Sequence, residues 1–174
     1  MAASGQDGKG VAEESDVHAH GLQAEIAQRR PFHSIKAEVT VGILRTAALI
    51  ERHFAQVVAR TGVTVQQYNV LRILRGAGPE GLACGGIGDR MITHDPDITR
   101  LLDRMEKRGL ITRERQKDDR RVVKTRITPH GLGLLKPLDP PMRDLHKRQF
   151  RHMAGARLKT LCDLLEEICR TERE

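Results

Sequence analysis

Between Arg104 and Arg126 the chain carries ten basic residues against four acids, a local charge of +6 in a protein of 174 residues and net charge +7. The first thirty residues, by contrast, sum to −2. A concentration of this kind suits a polyanion, with lysine and arginine displacing the counterions of a phosphate backbone. Other residue types offer different chemistry. Cys84 lies near Arg90 in sequence, a setting in which a thiol becomes a redox sensor, although a small buried residue at a helix start reads the same way. Cys162 and Cys169 are seven apart on one helical face and are expected in the core. Three cysteines without close pairing argue against a disulfide framework. His18-Ala19-His20 has the spacing of a metal chelate, but in a polar arm it reads as incidental, and no metal or cofactor is expected. Gly85-Gly86-Ile87-Gly88 lacks both the preceding strand pattern and the spacing of a nucleotide fingerprint. There is no Gly-x-Ser-x-Gly elbow and no His-Glu-x-x-His pattern, so catalysis is not expected. With no Trp, one Tyr and three Phe, nucleic-acid binding by base stacking is also disfavoured.

These residues need elements to position them. Residues 1–20 are polar and acidic, a composition that buries too little to order itself, and Leu22 to Gln28 could form a short helix. From Ile35 to Val58 apolar residues recur every three or four positions, which predicts a helix that Gly62 stops. Thr64 and Gln67 form a capping box for a second helix that turns Val70, Leu71 and Leu74 inward. The turn 76–81 and a glycine-weakened short helix over 82–91 follow. Asp95-Pro96-Asp97 reads as an N-cap, a proline at the first helical position and a first-turn acid. The helix so begun buries Ile98, Leu101, Leu102 and Met105, leaves Asp97, Thr99, Arg100, Asp103, Arg104 and Lys107 outside, and ends at Gly109. Residues 111–115 and 122–127 are predicted as strands of a hairpin with a charged tip. Thr128-Pro129 opens a helix that Pro137, Pro140 and Pro141 disturb near Lys136, and a last apolar-striped helix spans about 156–170. The first and last helices carry more apolar stripe than a small domain buries alone, which predicts a homodimer. No apolar run approaches the roughly 18 residues of a membrane span, and the first thirty residues contain no secretory apolar stretch. A cytoplasmic protein without membrane contact is expected.

Helix, helix, short helix, capped helix and charged hairpin is the order of a winged helix-turn-helix domain. The expected fold is mainly α with a small β-hairpin wing (α+β), flanked by N- and C-terminal dimerisation helices. The expected organisation is a polar acidic arm over 1–30, an N-terminal dimerisation helix over 31–62, the winged domain over 63–135 and C-terminal dimerisation helices over 136–174. Over roughly residues 35–172 the chain resembles the MarR family of bacterial transcription regulators. The resemblance is carried by DPDITRLLDRMEKRGLITR (Asp95 to Arg113), similar to the family's recognition helix and first wing strand. DRRVVKTRIT (Asp119 to Thr128) is similar to its wing signature. Asp119, Arg121 and Thr128 match that signature; Ile127 stands for a leucine and Thr125 for a usual valine.

The resemblance implies a sequence-specific regulator of double-stranded DNA, binding a pseudo-palindromic operator as a homodimer. It further implies a repressor released by a small phenolic or aromatic effector held between dimerisation helices and winged domain. The implied DNA-binding set is Pro96, Asp97, Thr99, Arg100, Arg104, Arg120 and Arg121. Arg100, one turn into a helix that fits the major groove, is expected to pair with guanine. Thr99 suits a base methyl, a phosphate or a surface role. Asp97 suits the helix dipole more than a cytosine, and Arg104 suits backbone or a pair with Asp103 or Glu106. Arg121 is expected in a minor groove and Arg120 on phosphate, with Asp119 fixing the wing. The alternatives are a thiol-based regulator of the same fold using Cys84, a metal-responsive one, or a protein-interaction module without DNA binding.

Overall fold

The computed structural model describes residues 21–92, 97–116 and 122–171. The chain divides into two units between Ile50 and Glu51, within one long helix. In the first unit, helix α1 (Leu22–Glu25) is shorter than the expected 22–28. It is tied by Glu25 to Arg45, 3.2 Å away on α2 (Ile35–Val58). The apolar positions of this part of α2 lie open, with Ile35 68% and Leu44 65% exposed.

The second unit holds the core. A single 3-10 turn, Ala59–Thr61, ends α2 at Gly62, the predicted stop, which takes a left-handed conformation (φ 68°). Helix α3 (Val65–Ala77) starts on the expected capping box: Thr64 Oγ1 accepts from the Gln67 amide at 3.2 Å, and Gln67 Oε1 accepts from the Thr64 amide at 3.1 Å. Two backbone donors that the first turn orphans are thereby satisfied. Val70, Leu71 and Leu74 are fully buried.

A two-residue strand, β1 (Leu82–Ala83), leads into α4 (Cys84–Gly88). No strand was expected there. It exists because Leu82 and Ala83 pair antiparallel with Thr125 and Lys124, a contact that spans some forty residues of sequence. The glycines of 85–88 lie within α4 and form no phosphate-binding loop after the strand. Helix α5 (Ile98–Lys107) buries Leu101, Leu102 and Met105. It closes in a Schellman motif: the Gly109 amide donates to the Glu106 carbonyl at 2.8 Å and the Leu110 amide to Met105 at 3.0 Å, with Gly109 at φ 66°. The chain then reverses directly into β2 (Ile111–Arg115), which pairs antiparallel with β3 (Val123–Ile127) from Ile111↔Ile127 to Arg115↔Val123. The sheet order is β1-β3-β2.

Thr128 caps α6 (Pro129–Leu135), its hydroxyl accepting from the Gly131 amide at 3.0 Å. A side chain at Gly131 would run into the Leu110 carbonyl and Leu71, so the glycine lets α6 seat on the sheet and α3. The expected break falls where the prolines put it. A 3-10 turn, Lys136–Leu138, contains Pro137, and α7 (Asp139–Gln149) takes Pro140 and Pro141 in its first turn, where no helical amide bond is lost. Helix α8 (Gly155–Thr171) completes the described chain with no buried residue.

Candidate nucleic-acid interface

Helix α5 is fastened on its inner side and open on its outer one. Leu101, Leu102 and Met105 are 3%, 1% and 0% exposed, against a core that includes Val70, Ile87 and Leu110. Each such burial stabilises by about 1.5–3 kcal/mol, enough to hold a three-turn helix that would not persist alone. Thr99, Arg100 and Arg104 face solvent.

The start of α5 differs from expectation. Ile98 is the first residue of α5, and Asp97, expected within the first turn, stands at the cap position with φ −118° and ψ 36°, outside the helical range. Its carboxylate makes no capping bond; Arg100 Nη1 lies 3.1 Å from it, one turn on. That pair, 79% and 50% exposed, is worth about 0–1 kcal/mol, so a duplex can draw Arg100 away at little cost. Pro96 and Asp95 lie outside the described residues.

Arg104 makes no side-chain bond or ion pair with any described residue. The acids expected to pair with it, Asp103 and Glu106, are both taken by Arg113 of β2. Arg113 Nη2 meets Asp103 Oδ1 at 2.5 Å, its Nε donates to Glu106 Oε2 at 2.9 Å, and its backbone amide donates to Glu106 Oε1 at 3.1 Å. The hydrogen bond to Glu106, then that to Asp103 and both carboxylate charges, raise the Arg113 pKa above its ordinary value against the opposing effect of burial. Contributed stability of this sign is complete below the unfolded-chain value and is lost only as pH rises through the folded one, so the clasp is intact at neutral pH. Sequence reading missed it, although two acids one turn apart and an arginine just past the glycine stop were the signal.

The far end of α5 is clamped as well. Arg108, its C-cap residue, donates through Nη2 to the Gly62 carbonyl at 3.0 Å and through Nη1 to Gln67 Oε1 at 2.9 Å. It thereby joins the end of α5 to the start of α3. In the wing stem, Arg126 reaches Glu114 at 2.9 Å and the Pro79 carbonyl at 2.8 Å, and Lys124 stands 3.7 Å from Glu80. Glu114, Arg115, Gln116, Lys124 and Arg126 line a shallow groove of about 200 Å³. Asp119, Arg120 and Arg121, at the tip, lie outside the described residues.

Cys84 opens α4, half-buried against the core, as a free thiol. Cys162 and Cys169 are exposed, which corrects the expectation that they are core: the described chain buries no residue of α8. Among the described residues no group of His, Cys, Asp or Glu could hold a metal, and His18 and His20 lie outside them. A second concavity, of about 260 Å³, opens between the C-terminal parts of α2 and α7, with Val57 and Leu145 as its apolar wall.

Residues 63–123 match the model of the MarR family. A crystal structure of a MarR transcription factor from Planctomyces limnophilus is 40% identical, covers 78% of this chain and 98% of its own, and superposes with a TM-score of 0.58. The homoprotocatechuate degradative operon repressor of Escherichia coli is 25% identical over 130 residues, 75% of this chain and 86% of its own. The structure of NadR in complex with 4-hydroxyphenylacetate, 23% identical and covering 80% of this chain and 97% of its own, shares the fold with a TM-score of 0.65.

Proposed function

This chain belongs to the MarR family of transcriptional regulators, and we propose that it acts as a homodimeric repressor that grips a pseudo-palindromic duplex and lets go when a small phenolic or aromatic compound binds. The observation that carries the reading is α5 itself. Its inner stripe is sealed, its C-terminal half is clamped through Arg113 and Arg108, and it presents Thr99, Arg100 and Arg104 outward beside a basic hairpin. A helix so held enters the major groove as a rigid body, and preorganisation of this kind reduces the ordering cost of binding.

In this reading Arg100 donates two hydrogen bonds to a guanine, Thr99 touches a base methyl or a phosphate, and Arg104 follows the backbone. Pro96 and Asp97 begin the helix at the groove edge. Arg121 enters the adjoining minor groove, Arg120 meets phosphate, and Asp119 braces the wing. Residues 1–30 form an acidic arm, 63–135 the DNA-binding domain, and 31–62 with 136–174 the dimerisation helices. Open apolar side chains on α2 and α8 support that last assignment. The protein is a binder and not a catalyst. Among the described residues no helix is long and apolar enough to cross a membrane, in keeping with work in the cytoplasm. The ligand class follows relatives whose names or complexes involve homoprotocatechuate degradation and 4-hydroxyphenylacetate.

Selecting duplex fragments of the source genome on the full chain tests this directly. A recovered motif with two half-sites about one helical turn apart, bound with an affinity that falls steeply with salt, is the expected result. Recovery of no motif, or binding indifferent to salt, contradicts it.

A further inference from the structure

The basic run that ends in the wing has a counterpart further along the chain. Between Arg143 and Lys159 six basic residues stand against a single acid, a local charge of +5, and the two runs leave −4 for everything else. This second run lies beyond residue 123, where the match to the MarR family model ends. Helix α7 gives it a fixed support, because Met142 and Leu145 are buried in the core and the His146 ring centroid lies 5.5 Å from that of Phe54 on α2. Arg143 and Lys147 lie one turn apart on α7, and Arg151 follows at the same spacing in the turn that leads to α8; all three are exposed. Arg157 comes next, in the first turn of α8, where the helix dipole opposes a cation. None of these four forms an ion pair or side-chain hydrogen bond with any described residue, and Asp144, the one acid of the run, pairs with none of them. Like charges four residues apart repel, so the ridge is arranged for an anion that the described chain does not supply.

Spacing and composition narrow the anion. Arg143 and Lys147 are separated by about 6 Å along the helix axis, close to two phosphate steps of one DNA strand. No exposed member of the run is a Trp, Phe or Leu, the side chains with which a basic helix enters an anionic membrane surface. Duplex DNA is the polyanion that a MarR regulator already holds. The ridge and the recognition helix stand on different supports: α5 packs on α4 and β2, whereas α7 meets α2 through His146 and the end of α3 through the Asp139–Arg75 pair. A duplex is stiff over about 150 bp, so an operator gripped by α5 bends onto a second surface only at a cost, while a separate segment meets it straight. We infer that the ridge of α7 and the α7–α8 turn binds the phosphate backbone of a second duplex, so that one dimer joins its operator to DNA elsewhere. Binding there is independent of sequence, since the contacts are to phosphate and not to base edges. The inference rests on the reading of the chain as a DNA-binding regulator.

Beads carrying a selected operator of about 20 bp, saturated with the full chain and washed, test for capture of a fluorescent duplex of unrelated sequence. The parent is expected to capture it at low salt and to release it as salt rises. A variant combining Arg143→Gln, Lys147→Gln and Arg151→Gln is expected to hold the operator within about threefold of the parent, read by fluorescence anisotropy, and to capture about tenfold less of the second duplex. Arg143→Lys with Arg151→Lys, which keeps the charge, is expected to retain capture. Thermal unfolding screens the triple variant for folding, and Arg143→Gln with Lys147→Gln takes its place should it fail. Sedimentation is expected to show one dimer with two duplexes; two dimers with two duplexes would mean that a second pair of α5 helices does the joining, and overturns the inference. No capture by the parent, or capture undiminished in the glutamine variant, overturns it too. So does tighter operator binding on adding flanks of about 30 bp without capture of a separate duplex, which would assign the ridge to neighbouring DNA on the same molecule. In all of these the parent still holds the operator; its failure to do so refutes the DNA-binding reading instead.

Discussion

Helices α5 and α8 are both amphipathic, and they end in opposite states. The apolar stripe of α5 is sealed by its own chain, with Leu102 1% exposed. That of α8 is bare, with Leu164 53% and Leu165 40% exposed. A stripe of that kind favours being covered, so α5 belongs to a domain that completes itself and α8, in the proposed reading, to a surface that a second copy completes. On that reading the proposed DNA-reading element is held by one chain's core, while the spacing between two such elements is set by association. The proposal therefore encodes half-site recognition and half-site spacing in different parts of the sequence.

Substitutions on the two helices should separate those roles. Leu102→Ala removes fully buried volume and is expected to cost about 2–5 kcal/mol in denaturant unfolding, whereas a loss under 1 kcal/mol would mean the α5 stripe is not the core it looks to be. Leu164→Glu combined with Leu165→Glu should spare the winged domain and lower the mass seen by light scattering from twice the chain mass to once; a persistent double mass would place the dimer elsewhere. Arg113→Met breaks the clasp between β2 and α5. With its side chain 24% exposed and its partners partly solvated, the expected destabilisation is about 1–2 kcal/mol, read from thermal unfolding at neutral pH, together with weaker duplex binding. The smallest effect has the opposite sign. Thr125 Oγ1 is buried in β3 without a partner, so Thr125→Val should stabilise by about 1 kcal/mol, a rise of roughly 2–4 °C in melting temperature.

What the sequence disclosed and what it concealed divide by range. The bounds of α2, the Thr64–Gln67 capping box, the Gly109 stop and the Thr128-Pro129 start were legible because each depends on residues within a turn of one another. Strand β1 was not, since two residues have no periodicity and only pairing with β3 makes them a strand. The Arg113 clasp and the Arg108 clamp join residues separated by seven to forty-six positions, and charge counting sees such arginines only as part of a basic run. Asp97 reads as a first-turn acid from composition alone; its backbone angles make it the boundary. The exposure of Cys162 and Cys169 was hidden for another reason. A helical stripe reveals that a face is apolar without revealing whose core it joins.

The reading of bases by the outer face of α5 is tested most directly by titrating the parent, Arg100→Ala and Arg104→Ala against a panel of single-base variants of a selected operator. Arg100→Ala should cost about 1–3 kcal/mol on the parent operator and erase the preference at one base position in each half-site, because a bidentate contact to guanine is lost. Arg104→Ala should instead weaken binding to every variant by a similar factor and lower the salt dependence by about one counterion. Thermal unfolding of both proteins should match the parent, as both side chains are exposed. An Arg100→Ala protein that ranks the operator variants as the parent does would contradict base reading by α5 and move Arg100 to the phosphate backbone.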